Sequence, residues 1–203
     1  MSFEITPLFS TPIYYAKNEN LSFDDEIIFI KQIDSIQAKT NKVSKNTRVL
    51  NFKELDQCRS LCEYHLKSFV ANTFDCKQDF FITNSWTAIT DPGESHHLHY
   101  HPNSIVSGVL YLNSGDQCGN INFHYENALK KAFSFNYDYN SYNIFNSSMW
   151  SYAPQTGDIF VFPSWVEHSV DVNQSNTARI ILGFNAFVKG KFGDNEYAAD
   201  LLI

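Results

Sequence analysis

The hydrophobic pattern of the chain changes period near residue 79. Before that point, "FDDEIIFIKQIDSIQ" (residues 23–37) opens on acids and repeats isoleucine at Ile27, Ile30, Ile33 and Ile36. That spacing predicts an amphipathic helix whose first-turn acids complement the helix dipole. Leu55, Cys58, Cys62, Leu66, Phe69 and Val70 mark a second helix over roughly residues 54–72. From Asp79 onward apolar positions follow a period of two. Strands are predicted at 79–90, 96–101, 105–113, 119–124, 158–163, 168–172 and 178–188, several of them separated by turn-rich pieces such as "TDPGES" and "NSGDQCGN". Residues 125–152, rich in Asn, Ser and aromatics without a clear period, read as an inserted loop or hairpin over a pocket mouth.

Many short strands after two helices point to a mainly β fold with flanking N-terminal helices, a sandwich or barrel of the jelly-roll type. The expected organisation is a single domain spanning 1–203. Within it, 1–78 carries an N-terminal strand and two bracing helices, 79–190 the jelly-roll core with insert 125–152, and 191–203 a C-terminal tail.

Composition narrows the partners. A chain of 203 residues, 43% apolar with 18 Phe and 11 Tyr, can bury a real core and suits strands. A net charge of −7 argues against a nucleic-acid backbone as the main partner. No run approaches about 18 consecutive apolar residues, and "MSFEITPLFSTPIYY" lacks a basic region followed by an apolar stretch. Neither a membrane span nor a secretory leader is expected, and the expected compartment is the cytoplasm. Cys58, Cys62, Cys76 and Cys118 form no C-x-x-C pair, and Cys58 and Cys62 read as reduced core thiols.

The candidate chemistry starts at "SHHLHYH", which holds four of the seven histidines. On a strand alternate side chains share a face, so His99 and His101 project together and can chelate one metal ion. His97 shares that parity but lies nearer the turn, and His96 and His97 read as residues of the rim or as supports behind the ligands. Well downstream, "TGDIFVFPSWVEHSV" places His168 at the start of a strand that a sandwich can set beside the first pair. Three ligands on one side of an ion leave open positions, which a catalytic metal requires. In "ARIILGFNAFV" both faces of the strand are largely apolar, so Arg179 points to an interior or a pocket and needs a carboxylate. Asp158 or Glu167 is one candidate and a bound small-molecule carboxylate the other; Asn185 lies on the same strand face as Arg179.

Taken together, "LFSTPIYY", "NSWTAIT", "HYHPNSIVSGVLYL", "GDIFVFPSWVEHSV" and "RIILGFNAF" resemble a family of 2-oxoglutarate- and Fe(II)-dependent oxygenases. The resemblance implies a double-stranded β-helix with Fe(II) held by His99, His101 and His168, and with no catalytic side chain beyond the metal centre. It implies 2-oxoglutarate as co-substrate, gripped by Arg179 and Tyr111, with Asn84, Trp86, Ser107 and Asn185 lining the pocket. It also implies dioxygen as oxidant, release of succinate, and hydroxylation of an unidentified protein side chain or small molecule. A homodimer is compatible with it. The chain departs from the superfamily in having histidine at 101, where Asp or Glu is usual, and Ile181 where many members carry a second carboxylate-binding hydroxyl. "GESHHLHYH" and "GDIFVFPSWVEH" also resemble the two cupin motifs, without the cupin glutamate. That alternative implies a cupin-like metal enzyme that does not use 2-oxoglutarate, or a non-catalytic jelly-roll binding module, on the same architecture. Arg179 favours the oxygenase.

Overall fold

The computed structural model describes residues 2–125, 135, 137–193 and 201–203. In chain order the elements are β1 (Tyr14–Lys17), α1 (Asp24–Ile30), β2 (Ser35–Gln37), β3 (Lys42–Ser44), α2 (Asp56–Thr73), β4 (Asp79–Thr90), β5 (His96–His99) and β6 (Val106–Asn113). They continue as β7 (Ile121–His124), β8 (Met149–Tyr152), β9 (Asp158–Pro163), β10 (His168–Val170), β11 (Arg179–Lys189), β12 (Lys191–Phe192) and β13 (Leu201–Leu202). A seven-stranded sheet in the order β1-β9-β6-β11-β4-β3-β2 faces a four-stranded sheet in the order β5-β10-β7-β8. This is the jelly-roll that the strand pattern predicts.

Strict alternation along the central strands gives the large sheet two buried faces. On one face Val106, Leu110, Leu112, Ile159, Val161, Ile180, Leu182 and Phe184 form a core with Leu55, Cys58, Cys62, Leu66 and Phe69 of the helical layer. On the other, Tyr111, Phe160 and Phe162 pack with Ile121, Phe123 and Val166 between the sheets. The second helix therefore braces the large sheet as expected, and Cys58 and Cys62 are free thiols inside the core.

One expectation is corrected. The first helix stops at Ile30, and residues 35–37 turn into a hairpin with 42–44. Isoleucine is β-branched and weak at holding a helix. Ile33 still packs on the core, but Ile36 is exposed on β2 instead of continuing a helical stripe. The segment 125–152 also contributes β8, which extends the small sheet beyond β7. Residues 126–134 and 136 of that segment, and 194–200 of the tail, lie outside the described residues. No helix among the described residues is long and apolar enough to cross a membrane.

Candidate metal centre and anion pocket

His99 and His168 are directly opposed across the antiparallel pair β5–β10. His101 follows the end of β5, where its backbone N–H donates to the Ser164 carbonyl at 2.9 Å and ties this turn to the start of the Ser164–Val166 turn. One ligand atom from each of the three rings lies within 4.8 Å of the others. The hydrogen bonds decide which atom is free. His99 Nδ1 lies 2.9 Å from the His97 carbonyl, His168 Nδ1 lies 3.0 Å from the Val166 carbonyl, and His101 Nδ1 lies 2.6 Å from Asn185 Oδ1. Each of these oxygens is an acceptor, so each Nδ1 carries the proton and each Nε2 keeps its lone pair. Three rings with one tautomer and converging lone pairs fit a divalent metal.

The bond to Asn185 belongs to a chain of hydroxyls. Ser107 Oγ donates to Asn185 Oδ1 at 2.7 Å and sits 2.9 Å from His101 Nδ1 and 2.8 Å from Ser164 Oγ. Ser107 and Asn185, expected from the sequence to line the pocket, lie at the histidine end of the cavity instead, where they hydrogen-bond to His101.

Burial sets the charge of the cluster. It pulls the pKa of His101 down to about 4, of His168 to about 2 and of His96 to about 3, and lowers that of His99. All four rings are neutral at pH 7 and need shed no proton to bind a cation. The unfolded chain protonates its histidines near 6.5. The native advantage is therefore complete above pH 6.5 and declines as pH falls towards the native values, where the unfolded state takes up protons that the native state refuses. For His168, 5% exposed, the loss runs at about 1.4 kcal/mol per pH unit. Urea titrations of the metal-free protein should show a falling midpoint from pH 6.5 to pH 5; a flat midpoint there would contradict neutral, buried rings.

The histidines line a narrow cavity between the sheets together with Trp86, Tyr111, Thr90 and Arg179. Arg179 is 2% exposed and donates to the carbonyls of Cys118 and Asp171. No carboxylate among the described residues pairs with it. Asp158 is occupied by the Tyr15 hydroxyl and the Gln155 N–H, and no Asp or Glu lines the cavity. Burial lowers the pKa of the guanidinium and raises that of Tyr111, which stays a neutral donor. Gly119, at φ +92°, admits the guanidinium: a Cβ there would lie 2.8 Å from Arg179 Nη1 and 2.4 Å from the Asp171 carbonyl oxygen.

Trp86 closes one wall, edge-on to His101 at 5.3 Å between ring centroids. Its indole lies across Gly183, where a Cβ would meet the ring at 2.5 Å. Gly183→Ala should displace Trp86 and cost about 1–3 kcal/mol by overpacking. Urea unfolding of the variant checks this, and an unchanged midpoint would mean that the indole relaxes freely. Asn84 lies apart from the cavity lining, in a cleft of about 550 Å³ between α2 and β4 that Arg48, Arg59 and Lys67 also border.

Two cavity residues escape the sequence reading, and a third takes one of its two expected places. His96, read as a rim residue or a support behind the ligands, lines the cavity and packs against His99 at 4.4 Å. The cause is a register shift: His168 pairs with His99 but Val170 pairs with His96, so β5 carries one extra residue and two rings of opposite parity face the same space. Thr90 is the cross-strand partner of Arg179. Asn41 arrives from the β2–β3 turn.

A family model described as "Putative 2OG-Fe(II) oxygenase" matches residues 84–185. Among solved structures, the fold is similar to an oxidoreductase of the 2OG-Fe(II) oxygenase family from Burkholderia pseudomallei. That match has 13% identity and a TM-score of 0.56 over 79% of this chain and 75% of the other. HygX from Streptomyces hygroscopicus, solved with nickel, 2-oxoglutarate and hygromycin B, matches at 10% identity and a TM-score of 0.60, over 87% and 82%. A prolyl-4-hydroxylase from Pseudomonas putida matches at 16% and 0.56, over 88% and 94%. At these identities the likeness is one of fold. Among curated proteins none matches in sequence.

Proposed function

The chain belongs to the 2OG-Fe(II) oxygenase family, and from that premise we propose that His99, His101 and His168 hold Fe(II) while Arg179, Tyr111 and Thr90 hold the far carboxylate of 2-oxoglutarate. The observation that carries this assignment is Arg179: a buried cation without a carboxylate partner among the described residues, facing the same cavity as the three histidines, which no described Asp or Glu lines. A buried guanidinium is stable when paired, and a dicarboxylate that reaches from the histidines supplies the partner. Thr90, beside Arg179 on the neighbouring strand, supplies the hydroxyl that Ile181 cannot.

Bound Fe(II) supplies the redox chemistry that converts 2-oxoglutarate and dioxygen into succinate, carbon dioxide and one oxygen atom inserted into a substrate C–H bond. The protein's own part is placement. The Nδ1–H bonds hold each imidazole in its ligating tautomer. The guanidinium and the Tyr111 and Thr90 hydroxyls orient the co-substrate. Trp86, Phe162 and Ile181 exclude water from the space between. Tyr100 and Trp165 are exposed beside the ligand-bearing segments, and aromatic anchors of this kind suit a polypeptide side chain as the substrate.

Succinate release from 2-oxoglutarate tests the reading. Protein loaded with Fe(II) in air should form succinate, and protein loaded with Zn(II) should not. Absence of succinate from the iron-loaded protein, with or without added substrate peptides, would overturn it.

A further inference from the structure

Asn41 lies in the turn between β2 and β3, upstream of the stretch that the family model matches, and is 2% exposed. It lines the cavity with His96, Thr90 and Arg179. Its Nδ2 lies 3.0 Å from His96 Nδ1, while its Oδ1 is buried without a hydrogen-bond partner among the described residues. Buried polar atoms are almost always paired, and an orphan is costly to keep. On the wall of a ligand cavity, an orphaned amide atom marks a contact that forms when the cavity fills.

We propose that Asn41 is a co-substrate-binding residue that donates to an oxygen of 2-oxoglutarate from outside the family-matched core. The inference rests on the reading above. The bound dianion offers two carboxylates and a keto group, all of them acceptors, so the amide must meet it through Nδ2. A half-turn about χ2 presents Nδ2 to the cavity and Oδ1 to His96 Nδ1. The two ends of an amide are nearly equal in shape, and an imidazole nitrogen serves as donor or acceptor according to tautomer, so the turn leaves the packing intact. The exchange satisfies all three groups at once: the orphaned atom, the ring and the ligand. His96, packed against His99, then holds Asn41 in register with the metal end.

The test is anaerobic titration of the Fe(II)-loaded protein with 2-oxoglutarate, followed by its charge-transfer absorption, for wild type, Asn41→Ala and Asn41→Asp. Loss of one neutral donor in Asn41→Ala should raise the dissociation constant about three- to tenfold. The isosteric Asn41→Asp sets an anion against a dianion and should raise it a hundredfold or more. Iron affinity should stay at the wild-type value in both. Dissociation constants within twofold of wild type, or tighter binding by Asn41→Asp, would overturn the proposal. If Asn41→Ala does not fold, Asn41→Asp alone decides. Wild-type protein that gives no absorption change at all would instead overturn the parent reading.

Discussion

Arg179→Ala should weaken 2-oxoglutarate binding by about two orders of magnitude or more while leaving the metal-free fold nearly as stable as before. Truncating one partner of a buried, hydrogen-bonded charge pair costs about 2–5 kcal/mol, and here the second charge arrives with the ligand. In the free protein the guanidinium is held by the carbonyls of Cys118 and Asp171, so its removal strands no buried carboxylate. A purely structural arginine would behave in the opposite way, with a lower unfolding midpoint and unchanged co-substrate affinity. Arg179→Lys keeps a charge but loses the fork that matches a carboxylate, and its affinity should fall between those of wild type and Arg179→Ala. Isothermal titration with 2-oxoglutarate, beside thermal unfolding of the same preparations, separates the two roles.

The second large effect lies at the other end of the cavity. His168→Ala should lower iron affinity by more than the 10–100-fold that loss of a group supporting a ligand typically costs, and iron should no longer co-elute with the protein. His101→Asp is the more informative change, because a carboxylate is the usual residue at this position in the superfamily the chain resembles. Here Asn185 Oδ1 and Ser107 Oγ are arranged around a ring N–H, at 2.6 and 2.9 Å. An aspartate in its place would turn a carboxylate towards an acceptor and leave Asn185 Oδ1 without the ring N–H. His101→Asp should therefore bind Fe(II) at least about tenfold more weakly than wild type. Tighter binding would mean that the hydroxyl chain does not specify the histidine.

The features legible in the sequence are those set by local periodicity. Alternation put His99 with His101, sent Arg179 inward along a strand apolar on both faces, and marked the strand that begins at His168. The features that escaped depend on how strands pair. A single extra residue in β5 turns His96 into the cavity beside His99, where two-residue alternation would point it away. Thr90 reaches Arg179 only through the β4–β11 register. Asn41 enters because Ile36, which continues a helical spacing on paper, sits instead in a hairpin that extends the edge of the large sheet beside β4. Ser107 and Asn185, expected to line the pocket, instead hydrogen-bond to His101 Nδ1 at 2.9 and 2.6 Å, a role that no spacing reveals.

The joint assignment of the three histidines and Arg179 is tested most directly by adding 2-oxoglutarate to the Fe(II)-loaded protein without oxygen. A weak visible charge-transfer absorption should develop, reach saturation with one equivalent of co-substrate per protein, and be missing from Arg179→Ala at the same concentrations and from His168→Ala at any. A protein that retains iron yet gives no such absorption, or one that gives it equally without Arg179, would contradict the assignment.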